Sequence, residues 1–304
     1  MKVHKLTLLC LCLLLVRPAV SQFYYYNNQY YDKDFLFEAG ISLGAMNCLT
    51  DIGGRSGNGG SFLKDLNWQN TRFNGGMFLS AEYRDALGVR LEFSSGEIAA
   101  YDSVLKNDQT VARNRYLRNL HFKSSITECL LLLEFYPFRL FTSNQSTSRF
   151  SPYLTGGIGI YHFNPRAQTG EGWIQLHDLH LEGQGFEEYP DRKTYSLTQL
   201  NVPAGAGIKI ECSALINLRI EILHRALFTD YLDDVSTRYI DPALFQKYLP
   251  THLVAYAEQL HHRQKEIEPS AKVIPGNIRG NSTHNDSYFN IQFKLGFIMG
   301  REKR

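Results

Sequence analysis

Apolar side chains alternate with polar or glycine residues over long stretches of this chain. Within Ile216–Phe228, for example, Leu218 and Ile220 alternate with Arg219 and Glu221. A period of two is typical of β-strands, because successive side chains of a strand point to opposite faces. A strand of about ten residues can cross a bilayer at a tilt. Eight segments carry the pattern: Phe35–Asn47, Asn74–Arg84, Leu87–Ala99, His121–Tyr136, Ser151–Phe163, Leu200–Cys212, Ile216–Phe228 and Ser287–Ile298.

The face opposite the apolar one carries many charges. A dry core could not hold them without a large desolvation cost, whereas the interior of a small barrel lets them pair with one another. The pattern therefore favours an all-β, eight-stranded antiparallel transmembrane barrel. The alternative is a soluble exported sandwich or lipocalin-like barrel, whose apolar face would point inward. The charged residues predicted to line the interior are Glu38, Glu82, Arg90, Glu92, Glu128, Glu134, Lys209, Glu211, Arg219, Glu221 and Lys294.

The connections between these segments differ in length. Arg84–Ala86 and Ser213–Leu215 are tight turns, and Pro137–Phe150 is of middling length. Short turns on one side and long loops on the other are typical of outer-membrane barrels. Four connections are long: 48–73, 95–120, 164–199 and 229–286.

The first 21 residues have the organisation of a secretory signal peptide. Lys2 and Lys5 precede the apolar run Leu6–Val16, and small residues precede Gln22. No later segment approaches the length of about 18 apolar residues that a spanning helix needs. We expect a signal peptide over 1–21, a periplasmic segment over 22–34, the barrel over 35–298 and a tail over 299–304. The predicted location is the outer membrane of a Gram-negative bacterium.

Composition and motifs disfavour several function classes. The formal charge of +2 offers no basic excess for nucleic acid. Cys48, Cys129 and Cys212, the cysteines beyond the signal peptide, are too widely spaced for a disulfide framework. His177-Asp178-Leu179-His180 and His261-His262 lack a helical zinc-ligand spacing, so we expect them to be exposed loop histidines. No nucleophile stands out, and we predict no enzymatic activity, small-molecule substrate, cofactor or metal.

The densest acidic stretch follows the seventh segment. Oxygen-rich side chains bind calcium, but the central glycine and final glutamate of an EF-hand loop are absent. We expect these residues to cap turns through bonds to the backbone. The stretch consists of Thr229, Asp230, Tyr231, Leu232, Asp233, Asp234, Val235, Ser236 and Thr237.

A helical stretch is predicted directly after this motif. Asp241 and Pro242 have the residue types of a helix cap and first position, and Leu244, Tyr248, Leu253 and Leu260 recur roughly by turns up to about Glu268. The last long loop therefore contains a helical insertion, which we expect to form a packed lid over the barrel.

Four parts of the chain carry a further, shared resemblance: Tyr24–Tyr26 with Tyr30–Asp34 and Glu38–Gly44, Pro152–Pro165, Phe228–Pro242 and Asn277–Asn281. Together they resemble the DUF6089 family of outer-membrane β-barrels, which includes the PorG-type subunit of the type IX secretion system. The stretch Thr229–Thr237 is the most specific of them. The resemblance implies a non-catalytic eight-stranded barrel associated with the periplasmic ring of that secretion machine.

Two functions follow as hypotheses. The first is a scaffold or anchor of a protein secretion complex, whose partners are outer-membrane lipid and periplasmic ring subunits. The second is a general OmpA- or OmpX-like barrel with a structural or surface ligand-binding role. An eight-stranded interior is just filled by side chains, so we expect little steady conductance in either case. The abundant Tyr and Phe residues are predicted to lie near strand ends, where membrane-interface girdles occur.

Overall fold

Strands account for most of the ordered backbone. The computed structural model describes residues 30–31, 34–54, 68–84, 86–107, 112–138 and 150–303. The predicted signal peptide and residues 22–29 of the predicted periplasmic segment lie outside them. In chain order the strands are β1 (Tyr30–Tyr31), β2 (Phe35–Leu49), β3 (Arg72–Tyr83), β4 (Leu87–Tyr101), β5 (His121–Phe135), β6 (Phe150–His162), β7 (Pro165–Thr169), β8 (Gly172–Gln175), β9 (Thr198–Glu211), β10 (Ile216–Leu227), β11 (Ser287–Met299) and β12 (Glu302–Lys303).

Eight of these strands form one closed antiparallel barrel. Each pairs with the next long strand along the chain, in the order β2, β3, β4, β5, β6, β9, β10 and β11, and β11 pairs back to β2. The pairing of β4 with β5 runs from Leu87 opposite Phe135 to Tyr101 opposite His121. The predicted eight-stranded barrel is therefore confirmed, and the predicted segments match the strands to within two residues at each end.

The strand register places the apolar side chains together on the outside of the barrel. Leu79 lies between Ala39 of β2 and Leu91 of β4, and all three belong to the outward face. Large apolar side chains on this face are exposed; Leu133, for example, is 64% exposed. The chain thus has the inside-out polarity predicted for a membrane barrel, and not the inward apolar face of a soluble sandwich.

Glycines allow neighbouring strands to approach each other on the lumen side. A Cβ added to Gly157 of β6 would lie 2.0 Å from the carbonyl oxygen of Leu131 on β5. A Cβ on Gly205 of β9 would lie 2.2 Å from the carbonyl oxygen of Ile222 on β10. Only glycine fits at these positions, because any side chain would collide with the neighbouring strand. The close approach that glycine allows lets the sheet curve tightly enough to close a small barrel.

The four long connections fold over one end of the barrel and form what we call the cap. The cap contains helices α1 (Arg113–Arg118), α2 (Leu244–Tyr248) and α3 (Thr251–His261) and the β7–β8 hairpin. Its described residues are 50–54, 68–71, 102–107, 112–120, 163–197 and 228–286. None of its described helices, nor any other in the described residues, is long and apolar enough to cross a membrane.

The helical insertion is present but is divided into shorter pieces. Asp241 accepts a hydrogen bond from the backbone N–H of Ala243, but the helix begins only at Leu244, with Ala243 and not Asp241 at its N-cap. The first helix ends at Tyr248, because Pro250 follows and disfavours helical backbone at Leu249, which is extended (φ −99°, ψ 150°). The insertion therefore consists of α2, α3 and a 3-10 turn at Arg263–Glu266 rather than one continuous helix.

The opposite end of the barrel, which we call the turn end, brings the two ends of the described chain together. Tyr30 pairs with Lys303 and Tyr31 pairs with Glu302, forming a separate two-stranded antiparallel sheet. Sequence alone predicts a C-terminal tail over 299–304, following a last strand that ends at Ile298. The structure instead extends β11 to Met299 and uses Glu302 and Lys303 to satisfy backbone hydrogen bonds of β1.

The close strand approach at Gly157 predicts a large effect of a small substitution. We expect Gly157→Ala to destabilise the barrel by about 1–3 kcal/mol, because the methyl group collides with a neighbouring backbone that cannot move freely. The matched control is Gly170→Ala in the β7–β8 turn, where an added Cβ meets nothing within 4 Å. Folded and unfolded barrels migrate differently on a gel. The stability of each variant is therefore measured as the temperature at which the folded band is replaced by the unfolded band. Equal transition temperatures for the two variants would contradict the prediction.

Candidate functional site

The barrel interior has two zones stacked along its axis. Towards the turn end it contains charged side chains, whereas towards the cap it is mainly apolar, apart from the ion pair of Arg225 with Glu128. The apolar zone is continuous with the cap core, which contains Ile52, Leu232, Val235 and Leu260. The lumen side chains that join this core are Met46, Ile98, Phe122, Ile126, Tyr161 and Tyr288.

All eleven charged residues that the alternation assigns to the interior lie there, and each is at most 6% exposed. Nine of them form one connected network of ion pairs. The other two pair elsewhere: Glu128 with Arg225, and Glu211 with Arg301 near the turn end. Strand alternation places them all on one face, and barrel closure brings strands that are distant in sequence within contact distance.

Arg219 of β10 is one centre of the network. Its guanidinium donates to Glu38, to Glu82 at 3.0 Å and to both carboxylate oxygens of Glu134 at 2.9 Å. Lys209 donates to the other oxygen of Glu82. Several partners are needed here because a lone buried guanidinium would be strongly destabilising.

Arg90 of β4 is the second centre. It contacts Glu134 at 2.6 Å, Glu221 at 2.7 Å and Glu92 at 3.1 Å. Because Glu134 also contacts Arg219, the two centres share a carboxylate. Lys294 of β11 completes the network through Glu92 and through Glu221, at 2.8 Å from the latter.

The sequence reasoning missed several polar residues of the interior. Arg225 shares the inward parity of Arg219 and Glu221, so the alternation itself could have identified it. Its guanidinium donates to Glu128, and Tyr288 donates to the same carboxylate at 2.7 Å. Tyrosine hydroxyls also supplement the ion network: Tyr136 donates to Glu134 at 2.8 Å, and Tyr153 to Glu221 at 2.7 Å. These tyrosines also share the parity of the inward residues on their strands, so the alternation could have separated them from an outward interface girdle.

The acidic stretch Thr229–Thr237 lies at the centre of the cap. Leu232 and Val235 are buried in the cap core. The carboxylate of Asp233 accepts the backbone N–H groups of Ile52 at 3.0 Å and Val235 at 2.9 Å. Asp286 likewise accepts the N–H of Leu232 at 2.9 Å. These bonds tie the stretch to the first and last long connections, in addition to capping its own turn.

Two further ion pairs lock the cap. Glu182 is fully buried, accepts the N–H groups of Ser236 and Thr237, and contacts Arg279 at 2.9 Å. Asp102 binds Arg118 through two hydrogen bonds of 2.9 Å. Arg118 in turn donates to the carbonyl oxygens of Arg279 and Asp51. All four long connections are thus joined by charge-assisted hydrogen bonds.

Burial perturbs the acids of the cap. It raises the pKa of Asp233 to about 8, and the neighbouring charge of Asp51 adds to the effect. Burial also raises the pKa of Asp286, which faces Asp233. The pKa of Asp234 rises to about 7 through burial, although Arg279 opposes the shift. The cap therefore favours protonated forms of carboxyl groups that are ionised in an unfolded chain near neutral pH.

The histidines of the cap are not arranged as a metal centre. His261 is buried against Phe245 and Tyr239, and burial lowers its pKa to about 3. It is therefore a neutral packing residue, unlike the exposed loop histidine that the sequence suggested. His177 bonds to the backbone carbonyl of Tyr195 at 2.9 Å. Within the described residues, no group of three or more His, Cys, Asp or Glu side chains has a metal-binding arrangement.

Removing the guanidinium at the first network centre should be costly. Arg219→Gln leaves Glu38, Glu82 and Glu134 short of a cation, so we expect a loss of about 3–5 kcal/mol in unfolding free energy. Arg84→Gln is the matched control, because Arg84 pairs with Asp34 at 3.2 Å while its side chain is 65% exposed. An exposed pair contributes about 0–1 kcal/mol. Urea unfolding in detergent micelles measures the unfolding free energy of both variants. Similar losses in the two variants would refute the role of burial.

The raised pKa values predict that the cap loosens at alkaline pH. A carboxyl group whose pKa is raised by folding stabilises the fold at low pH, and that stabilisation is lost as the pH rises through its folded pKa. Titration of Asp233, with its pKa near 8, should lower amide protection factors in the cap by about a hundredfold between pH 6 and pH 9. Hydrogen exchange of the Ile52 and Val235 amides reports this. The Asp233→Asn variant should show a weaker dependence of these protection factors on pH. An unchanged pH dependence in this variant would show that other groups cause it.

Comparison with solved structures finds eight-stranded membrane barrels at low identity. The attachment invasion locus protein Ail of Yersinia pestis, solved with the heparin analogue sucrose octasulfate, is 9% identical with a TM-score of 0.36, over 86% of this chain and 99% of that one. Neisserial surface protein A is 10% identical with a TM-score of 0.36, over 88% and 98%. OprG of Pseudomonas aeruginosa is 11% identical with a TM-score of 0.30, over 89% and 98%.

No curated protein matches the chain. A family model does match it, over residues 29–241, and carries the description "Domain of unknown function (DUF6089)". The match covers most of the barrel and includes the whole acidic stretch at the centre of the cap. The resemblance suggested by the sequence motifs is therefore confirmed at the level of the family: this chain belongs to the DUF6089 family.

Proposed function

We propose that this protein is an outer-membrane β-barrel that acts as a non-enzymatic scaffold or anchor of a protein secretion complex. The observation that carries the proposal is the filled interior. Arg90, Arg219 and Lys294 are completely buried inside the barrel, and the cap core continues the packing above them. A barrel filled in this way offers its outer wall and its two ends for function, rather than a passage.

The membrane location is supported by the polarity of the wall. Outward residues along β3 and β4 include Met77, Leu79, Val89 and Leu91, which are 47–61% exposed in the isolated chain. Burying such a continuous apolar surface in lipid is favourable, at about 25 cal/mol per Å². A signal peptide over 1–21 would direct export to that membrane. Short connections at the turn end and long ones at the cap end would orient the turn end towards the periplasm.

The secretion role rests on the family resemblance to PorG-type subunits, together with the geometry of the turn end. There the β1–β12 sheet lies outside the barrel wall, with Arg301 held by Glu211 at 3.0 Å between β11 and β12. A short sheet on the periplasmic side would offer free strand edges to partners such as periplasmic ring subunits. Outer-membrane lipid is the second partner in this proposal.

The alternative is an OmpA- or OmpX-like barrel with a structural or surface ligand-binding role. The size and order of the cap favour it, because the cap has its own apolar core and buried ion pairs such as Arg118 with Asp102. A folded cap of this kind would present a fixed surface to the outside of the cell. In that case function would depend on the cap end and not on the turn end.

Two deletions separate these functions. Removing residues 300–304 eliminates β12, whereas removing 269–274 shortens a largely exposed segment of the cap. Each tagged variant, and the intact protein, is purified from gently solubilised outer membranes after its heat-dependent gel shift has been checked. We expect the intact protein and the cap deletion to recover periplasmic ring subunits and to support cargo secretion, and the tail deletion to lose both.

A partnerless intact barrel, with cargo secretion unaffected by deletion of the gene, would defeat the secretion proposal. If only the cap deletion had a phenotype, the surface-binding alternative would be favoured instead. An unrelated tagged barrel from the same membranes serves as the purification control. It should recover neither the ring subunits nor secreted cargo.

A further inference from the structure

We propose that a cluster of basic and aromatic side chains on the outer wall, near the cap end, binds the phosphate groups of outer-leaflet lipid. This cationic patch consists of Arg72, Glu97, Lys123, Arg166 and Trp173. It rests on the proposed outer-membrane location, because its ligand is part of that membrane. The patch lies on the side of the barrel, away from the ion network of the interior.

Strand register places two cations of the patch side by side. Lys123 of β5 is directly opposite Arg166 of the β7–β8 hairpin. Arg166 is exposed, and the Lys123 side chain is 29% exposed. Like charges directly opposite each other in an antiparallel pair are destabilising. An anion between them would remove that penalty and would contact both cations at once.

Among the residues that the structure describes, Glu97 is the one carboxylate of the patch. Glu97 lies 3.9 Å from the Lys123 ammonium and 3.8 Å from the Arg72 guanidinium, so it contacts both loosely and binds neither by a short hydrogen bond. Three cations against one carboxylate leave a net charge of +2. This excess of positive charge lies on the outer wall of the barrel, whereas in the interior each cation contacts at least one carboxylate.

Aromatic rings accompany the charges. The Lys123 ammonium lies 4.0 Å from the ring centroid of Trp173, and the Arg72 guanidinium lies 5.8 Å from that of Tyr101. His121 stacks on Tyr101 at 5.7 Å. Such amphipathic rings occur at the headgroup level of membranes, where one side of the ring meets acyl chains and the other meets polar groups.

The position of the patch along the wall matches the headgroup region. The outward residues of β5 pass from Leu133 and Leu131 in the apolar belt, through Thr127, to Lys123 nearer the cap. The patch therefore begins where the apolar surface ends. Near the cap ends of β6, β9 and β10, the outward positions instead hold neutral or weakly basic residues, namely His162, Thr198 and His224.

These features favour a lipid phosphate over a soluble anion. A soluble anion would meet the cap first, whereas the patch faces sideways at the edge of the apolar belt and is adjacent to the headgroups. Lipids of the outer leaflet that carry phosphate on a saccharide headgroup match this chemistry, since Arg and Lys bind phosphate oxygens through charge-assisted hydrogen bonds.

Native mass spectrometry of the detergent-solubilised full chain tests the inference. The protein is titrated with bisphosphoryl lipid A and, separately, with dephosphorylated lipid A. We expect the phosphorylated form to bind preferentially. The double variant Lys123→Gln/Arg166→Gln should weaken that binding by about 30-fold, because each cation near a charged membrane surface contributes about 1 kcal/mol. The matched control, Lys265→Gln/Lys272→Gln, removes two exposed cations of the cap and should bind like the unmodified chain.

Arg166→Gln alone is a second variant that keeps the test decisive if the double variant folds poorly, because the Arg166 side chain is exposed. Equal binding of both lipids, or unchanged binding by the Arg166 variant, would overturn the inference. So would effective competition by inositol hexakisphosphate, which would identify a site for soluble polyanions. The proposed location is tested separately by insertion into phosphatidylcholine vesicles. Failure to insert would defeat the membrane function itself, whereas insertion without lipid preference would defeat only this patch.

Discussion

The structure depends on the pairing of charges inside the barrel. Transfer of an unpaired guanidinium or carboxylate from water into a closed interior is strongly unfavourable. Arg219 and Arg90 avoid this because each contacts three carboxylates, and Glu134 is shared by both. The middle of the outer wall can therefore be apolar, since these charged side chains are paired with one another inside the barrel. The same pairing fills the space through which solutes would otherwise pass.

The interior is not polar throughout, and this determines how the cap attaches. Near the cap the lumen side chains become mainly apolar, as with Met46 and Phe122, and these belong to one core with Leu232 and Val235. The barrel and the cap thus share a hydrophobic interface in addition to their chain connections. The acidic stretch Thr229–Thr237 is central to the cap because its backbone N–H groups bond to Glu182 of another connection and to Asp286 at the far end of its own.

The alternation of side chains was sufficient to predict the barrel, its strand number and the inward charges, because a membrane wall imposes a strict period of two. The cap was less predictable. Its β7–β8 hairpin and its buried His261 depend on contacts between distant connections, which leave no periodic signal. The division of the predicted helix at Pro250 could have been anticipated from proline geometry. The ion-pair partner of each charged residue could not be predicted from the sequence, because it depends on which strands barrel closure brings together.

The ion network also constrains the order of assembly. Lys294 on the last barrel strand pairs with Glu92, 202 residues earlier, and Arg219 pairs with Glu38, 181 residues earlier. A partly assembled sheet has therefore buried carboxylates without their cations. Hairpins that entered the lipid one at a time would carry these unpaired charges with them. Insertion and closure are accordingly favoured as a single concerted event, in which the first and last barrel strands meet while the interior is still accessible to water.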